Sequence, residues 1–315
     1  TFFIAGGTTT LPSGKDALEA EEAAMGAYLA FDFGAESGRA ILGELSNGKL
    51  TLSERHRFAN PTTRINGRIH WNLPSQFEEI KTGLRKIGQI KLLGIGVDTW
   101  GCDFGLISKS GAILSLPLHY RNFFASNAMG KAHDLLGEDA VYATTGIQTL
   151  PFNTLYQLHG MKQQHPELLE CADKLLWMPD LFHYLLTGVV KAERSTASTG
   201  TLLDAKTGEY AFGLLTKLGI APSLLPDLID PGTTLGALSA DIVAECGCAV
   251  STVIAPAGHD TASAVAAVPA QGDDWCYISS GTWSLMGVEI ATPDTSSEAK
   301  RAGFTNEAGV NRTIR

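Results

Sequence analysis

The dipeptide Asn47-Gly48 constrains this chain more than any other feature of its sequence. It sits between two strand-forming runs, Ala40-Ile-Leu-Gly-Glu-Leu45 and the stretch 50–58. Asn-Gly supplies the two consecutive positive-φ positions of a type I′ turn, whose twist suits an antiparallel pair. A buried strand, Tyr28-Leu-Ala-Phe31, runs into this pair through a turn at 32–39, so the three strands are expected to form a meander. A helix follows: Pro74 suits a first turn, and Phe77, Ile80, Leu84 and Ile87 recur at helical spacing. The run Leu92-Leu-Gly-Ile-Gly-Val97 returns as a buried strand ending at Asp98, and 104–107 and 117–120 read as short strands. Meander, helix, then strands is a mixed α/β order, not a simple βαβ alternation.

The middle of the chain, 125–186, reads as mainly helical, with a helix opened by Pro179 and closed by Gly188. The segment 195–201 reads as a small polar stretch before a turn, and 214–225 as a helix interrupted by Gly219 and Pro222. A strand at Val253-Ile-Ala255 feeds Gly258-His-Asp260 and a short helix. Two further strands, 275–278 and 285–289, flank a small polar turn and repeat the layout of the first hairpin. The 315 residues suffice for two domains. A net charge of −9 disfavours a general nucleic-acid binder or a polybasic membrane binder. The five cysteines have irregular spacing and no zinc pattern, which fits reduced thiols. No apolar run reaches the roughly 18 residues of a membrane span. Residues 1–24 fit neither a secretory signal nor a mitochondrial presequence and read as an extension or remnant, with Met25 a candidate native start.

Three segments can carry chemistry. In Asp-Phe-Gly-Ala-Glu-Ser-Gly-Arg at 32–39, Gly34 and Gly38 let backbone N–H groups face one concavity suited to phosphate. Arg39 adds matching charge, and Asp32 could hold a hydrated Mg²⁺; the alternative is a hairpin turn with a surface arginine. In Asp98-Thr-Trp-Gly-Cys-Asp103 two carboxylates flank Trp100 and Gly101 at a strand end. Trp100 offers an apolar face to a sugar ring and Gly101 a close backbone approach, unless the aspartates simply cap turns. In Gly258-His-Asp-Thr261, Asp260 either caps the next helix or works as a base.

Together these segments resemble the FGGY carbohydrate kinases of the actin-like ATPase superfamily. The resemblance is carried by 32–39, by Gly-Val-Asp-Thr-Trp-Gly-Cys-Asp-Phe at 96–104, by Gly-Ile-Gln-Thr-Leu-Pro-Phe-Asn-Thr-Leu-Tyr-Gln-Leu at 146–158, by Met-Pro-Asp at 178–180, by His-Asp-Thr-Ala-Ser-Ala-Val at 259–265 and by Ser-Ser-Gly-Thr-Trp-Ser-Leu-Met-Gly at 279–287. The runs 146–158 and 279–287 are similar to the branch that acts on L-rhamnulose. The resemblance implies an α/β, ribonuclease H-like fold with a mixed sheet and helices on both faces. It divides the chain into an extension at 1–24, an N-terminal lobe at 25–262, and the start of a truncated second lobe at 263–315. It implies ATP-dependent transfer to the 1-hydroxyl of L-rhamnulose; the alternatives are another ketose such as L-fuculose, or a non-catalytic sugar-binding fragment. Asp260 would be the proton acceptor. Trp100, Gly101, His259, Asp260 and Thr261 would hold the ketose. Ala35, Glu36, Ser37, Gly38, Arg39 and Thr282 would hold ATP, with Asp32 near its Mg²⁺. Glu36 stands where the family often has a small residue. No nucleic acid or membrane partner is implied, and a cytoplasmic setting is.

Overall fold

The computed structural model describes residues 26–123, 126–272, 274–281 and 283–315. Three strands, β1 (Gly26–Phe33), β2 (Ser37–Ser46) and β3 (Lys49–Ala59), form the expected antiparallel meander. Asn47 and Gly48 adopt φ of 51° and 71°, the left-handed pair that the turn requires. The same dipeptide recurs at Asn66-Gly67, with φ of 48° and 79°. It joins β4 (Thr62–Ile65) to β5 (Arg68–Trp71) in a hairpin that the sequence reading passed over.

Helix α1 (Leu73–Ile87) is capped by Asn72, whose side chain accepts from the Ser75 amide, and is closed at Gly88. Strand β6 (Gly94–Asp98) lies parallel to β1, with Leu29 opposite Ile95 and Phe31 opposite Val97. Strand β7 (Phe104–Ile107) pairs with β8 (Lys174–Trp177) outside the main sheet. The segment 117–120 makes only a single bridge, Leu118 to His70, before a 3₁₀ turn at Tyr120–Phe123. Two backbone bonds, the Trp71 amide to the Pro117 carbonyl and the His119 amide to the Ile69 carbonyl, flank that bridge before the chain turns away. Helices at Ala128–Leu136, Glu138–Thr145, Thr154–Gln164 and Phe212–Lys217 fill the middle of the chain. Helix α2 (Met178–Thr187) opens with Pro179 and ends at Gly188 in the left-handed region. The polar stretch at 195–201 is largely helical, α3 (Arg194–Thr199), and every residue of that helix is buried. Strands β9 (Thr234–Ala237) and β10 (Thr252–Ile254), helices α4 (Ala240–Cys246) and α5 (Asp260–Ala266), and a hairpin of β11 (Tyr277–Ser280) and β12 (Ser284–Gly287) complete the elements used below.

The six-stranded sheet has the order β9-β10-β6-β1-β2-β3, with β1, β6 and β10 parallel. Leu29, Phe31 and Phe33 project to one face. There Phe31 approaches Gly83 of α1, and Phe33 stacks on Phe182 of α2 at 4.8 Å. Asp32 and Asp98 are register partners and project to the opposite face. A second core, built from Phe104, Leu155, Tyr156, Leu175, Trp177 and Leu215, lies within the long insertion between β6 and β10. The two cores meet along β7 and β8.

Ile80 is fully buried on the face of α1 turned to the sheet. Truncation leaves a cavity as well as removing apolar contact, so Ile80→Ala is expected to lower the unfolding free energy by about 2–5 kcal/mol in urea titration. A loss below about 1 kcal/mol would mean that α1 is not seated as described.

Candidate active site

Parallel pairing brings three chain segments to one end of the sheet. Asp32 and Asp98 end β1 and β6 side by side. Beyond β10 the chain continues the register: the Thr99 amide donates to the Gly258 carbonyl at 2.9 Å, and the Asp260 amide to the Thr99 carbonyl at 2.8 Å. Asp260 thus stands at the carboxyl end of the sheet and opens α5. The end of parallel strands is where α/β sheets place ligands. Here it is the floor of a cavity of about 840 Å³.

Of the residues singled out in the sequence, Asp32, Ala35, Arg39, Trp100, Gly101, His259, Asp260 and Thr261 all line this one cavity. Glu36 instead faces a smaller hollow of about 300 Å³ beside His119 and Arg121. Ser37 is exposed, its carbonyl closing the turn onto the Gly34 amide at 2.9 Å. Gly38 lies under Phe58, whose ring is 2.3 Å from where a Cβ would sit, so no larger residue fits. The second hairpin faces the same cavity through Ser279, Gly281, Ser284 and Leu285; Thr282 lies outside the described residues.

Trp100 is 8% exposed, its ring 3.9 Å from that of Trp71. Its indole N–H donates to Asp103, which also accepts from the Trp71 indole, the Tyr120 amide and the Gln157 amide group. Burial lifts the Asp103 carboxyl to about 6 against the lowering effect of those four donors. Asp103 therefore holds the wall together and does not face a ligand. Cys102, between Gly101 and Asp103, has φ of 71°, a strained backbone for a residue with a side chain. Thr199 holds it there, accepting from the Cys102 amide at 3.0 Å. A Cβ on Gly101 would lie 2.7 Å from the Thr199 hydroxyl, so glycine is needed at that turn.

Asp260 lines the cavity with a side chain 40% exposed. Its Oδ1 accepts from the Thr261 amide at 2.7 Å and lies 3.3 Å from His259 Nε2. Among the described residues the bonds to Asp260 fall on Oδ1, leaving Oδ2 for a ligand. Burial raises its carboxyl above the usual range, opposed by His259 and the Thr261 amide and reinforced by Asp32. Asp98, deeper still, is raised well above its ordinary value by burial, with the charges of Asp32 and Asp260 adding to the effect. Asp32 is held by Arg39 at 2.7 Å across the β1–β2 ladder.

Two residues beyond the sequence reading set this geometry. Glu193 is fully buried and accepts from the amides of Ser195, Thr196 and Gly258 at 2.8, 3.1 and 2.8 Å. It caps α3 and fastens the segment leading to Asp260 onto the insertion. Glu is not a favoured N-cap residue, so no local pattern marks it. Glu307 pairs with Arg315 at 2.9 Å and with His259 at 3.2 Å; no local pattern marks it.

Residues 27–267 match the FGGY family of carbohydrate kinases, N-terminal domain. The chain belongs to this family. It is 40% identical over 290 residues to a rhamnulokinase of Bacteroides thetaiotaomicron, covering 91% of this chain and 60% of the relative. It is also 40% identical over 301 residues to a rhamnulokinase of Enterococcus faecalis, covering 95% and 60%. The chain thus spans about 60% of the length of these curated relatives. Among solved structures it is similar to a carbohydrate kinase from Novosphingobium aromaticivorans, with a TM-score of 0.80 and 22% identity over 92% of this chain and 62% of that one. A ligand-bound xylulose kinase from Lactobacillus acidophilus gives a TM-score of 0.79 at 18% identity over 91% and 58%. The fold is therefore that of the FGGY kinases, the actin-like ATPase fold with a mixed sheet and packed helices. No helix among the described residues is long and apolar enough to cross a membrane.

Glu307 supplies a pH signature. Burial alone would raise its carboxyl, but the Arg315 guanidinium holds it down at about 2, below the ordinary 4.5. A depressed carboxylate contributes stability that is present above its unfolded value and lost as pH falls through its folded one. The unfolding free energy is expected to fall by on the order of 3 kcal/mol from this group between about pH 5 and pH 2. Glu307→Gln should remove that part of the acid slope in denaturant titrations; an unchanged slope would contradict the ion pair.

Proposed function

We propose that this chain forms the sugar-binding part of an ATP-dependent kinase acting on the 1-hydroxyl of L-rhamnulose, with Asp260 as proton acceptor. The observation that carries the reading is Asp260 itself: a carboxyl raised above its usual range, at the end of a parallel sheet, with one oxygen unbonded among the described residues, lining the cavity that Arg39 and the 34–35 turn also line. Rhamnulokinase is the name borne by the curated relatives at 40% identity. In this reading 25–262 is the N-terminal lobe, 263–315 begins the second, and the setting is cytoplasmic.

The ketose lies against Trp100, with the Gly101 backbone and Thr261 as polar partners and His259 acting through Asp260. Its hydroxyl gives its proton to Asp260 Oδ2 as the oxygen forms its bond to the γ-phosphorus of ATP; the bond to the β-phosphate oxygen breaks and ADP leaves. Phosphoryl transfer asks little covalent chemistry of the protein, and positioning and charge neutralisation do most of the work. A positioned base contributes about 10²–10⁴-fold. Arg39, the amides near Ala35, and the turn containing Thr282 would hold the phosphates, with Glu36, Ser37 and Gly38 shaping the first turn. Among the described residues no three His, Cys, Asp or Glu side chains converge as a ligand set. The donors instead suit a hydrated Mg²⁺ that arrives on the nucleotide, since Mg²⁺ keeps several waters and takes one or two carboxylates. Asp32 would hold it through water, and its charge would offset that of the phosphates.

Asp260→Asn keeps the shape and cannot accept the proton at neutral pH. In the full-length protein it is expected to lower turnover by about 10²-fold or more while ketose affinity stays within a few-fold. Arg39→Ala should weaken ATP use and spare ketose binding. Coupled ADP assays and calorimetry read both. Undiminished turnover in Asp260→Asn would remove the base, and an equal fall in both affinities for Arg39→Ala would make the turn a structural element only.

A further inference from the structure

Behind Asp260 the ring of His259 is held between two charged groups from the last segment of the chain. Arg315 Nη2 lies 2.6 Å from His259 Nδ1 and 2.9 Å from a Glu307 carboxylate oxygen. That oxygen is itself 3.2 Å from Nδ1. The side chains of Arg315 and Glu307 are 2% and 15% exposed. Reciprocal backbone bonds of 2.9 Å between Glu307 and Arg315 fix the two residues opposite each other, as in an antiparallel pair. On the far side of the ring, Nε2 is 3.3 Å from Asp260 Oδ1.

These contacts decide which ring nitrogen carries the proton. A guanidinium only donates. At 2.6 Å from Arg315, Nδ1 must accept, so it is unprotonated. A neutral ring with a bare Nδ1 carries its proton on Nε2, facing Asp260. A doubly protonated ring would set two donors against each other at 2.6 Å. The opposite tautomer would leave the Nε2 lone pair facing a carboxylate oxygen. Glu307 alone would favour that opposite tautomer, because a carboxylate 3.2 Å from Nδ1 invites an N–H there. Arg315 reverses the preference.

We propose that Arg315 is a positioning residue that fixes His259 in its Nε2–H tautomer. The Nε2–H then donates to Asp260 Oδ1 and keeps Oδ2 turned to the substrate hydroxyl. Glu307 anchors the guanidinium. Both residues lie beyond the matched family segment at 27–267, so a part of the chain outside that segment orients the base. The function of the tautomer rests on the reading of Asp260 as proton acceptor.

The test is a long-range ¹H–¹⁵N spectrum of histidine-labelled protein at neutral pH, with His259 assigned by the signal lost in His259→Asn. The parent is expected to show a neutral ring protonated at Nε2. Arg315→Met should put a proton on Nδ1, because Glu307 is then the polar partner left there, while Asp260 keeps the proton on Nε2. Arg315→Lys, another pure donor, should restore the bare Nδ1. In the full-length protein Arg315→Met should lower kcat by about 10-fold or more with ketose KM within a few-fold. An Nδ1–H ring in the parent overturns the proposal whether or not the variants fold, and leaves the base untouched. An Nδ1 that stays bare in Arg315→Met also overturns it. Turnover that survives Asp260→Asn overturns the base, and with it the purpose of the tautomer.

Discussion

The cavity depends on the parallel registration of β1, β6 and the chain beyond β10. Two backbone bonds, Thr99 to Gly258 and Asp260 to Thr99, extend the ladder past the last formal strand. They set His259 opposite Thr99 and so bring Asp260 to the sheet end where β-pairing places Asp98 beside Asp32. The insertion between β6 and β10 adds the wall, because Asp103 and Thr199 lock the 100–103 turn to it. Glu193 closes the circuit from the other side by accepting the Gly258 amide. A methyl at Gly258 would lie 2.5 Å from the Thr196 hydroxyl and 3.2 Å from a Glu193 oxygen, so the backbone itself makes this contact.

Bringing carboxylates together has an electrostatic cost. Burial and like charge push Asp98 and Asp260 towards their neutral forms. A raised carboxyl is the better proton acceptor, so the same cost suits Asp260 to the proposed chemistry. Asp32 sits at the exposed edge of the group, where Arg39 offsets its charge. The polarity of the site is thus graded, from a buried acid at the sheet to a solvent-facing ion pair beside the 34–37 turn.

Much of the frame was legible in the sequence because it is written in local chemistry. Asn47-Gly48, Pro74 and the apolar spacing of α1 act within a few residues of themselves, and the meander and helix follow from them. Asn66-Gly67 carried the same signal and was passed over, though a hairpin of two four-residue strands has little apolar patterning to support it. The stretch at 195–201 reads as small and polar, with no helical signal, because Ser and Thr favour turns when nothing else decides. Glu193 decides: it accepts the first amides of α3, and burial against Gly258 does the rest. At the site, the strand-end aspartates and Gly101 could be read as candidates from their positions. The partners that orient them could not, since Glu307 and Arg315 reach His259 from about 50 positions away through tertiary packing. The sequence likewise could not show that Asp103 is structural, because three of the four donors gathered on it come from distant segments.

The central claim is that the turn at 99–103 and the segment at 258–261 form one ketose site at the end of the sheet. Hydrogen–deuterium exchange with and without saturating L-rhamnulose measures it directly. The account predicts slower exchange in peptides covering these two segments, and little change in the β2–β3 hairpin or α1. Protection absent from both segments, or confined to a different part of the chain, would contradict it.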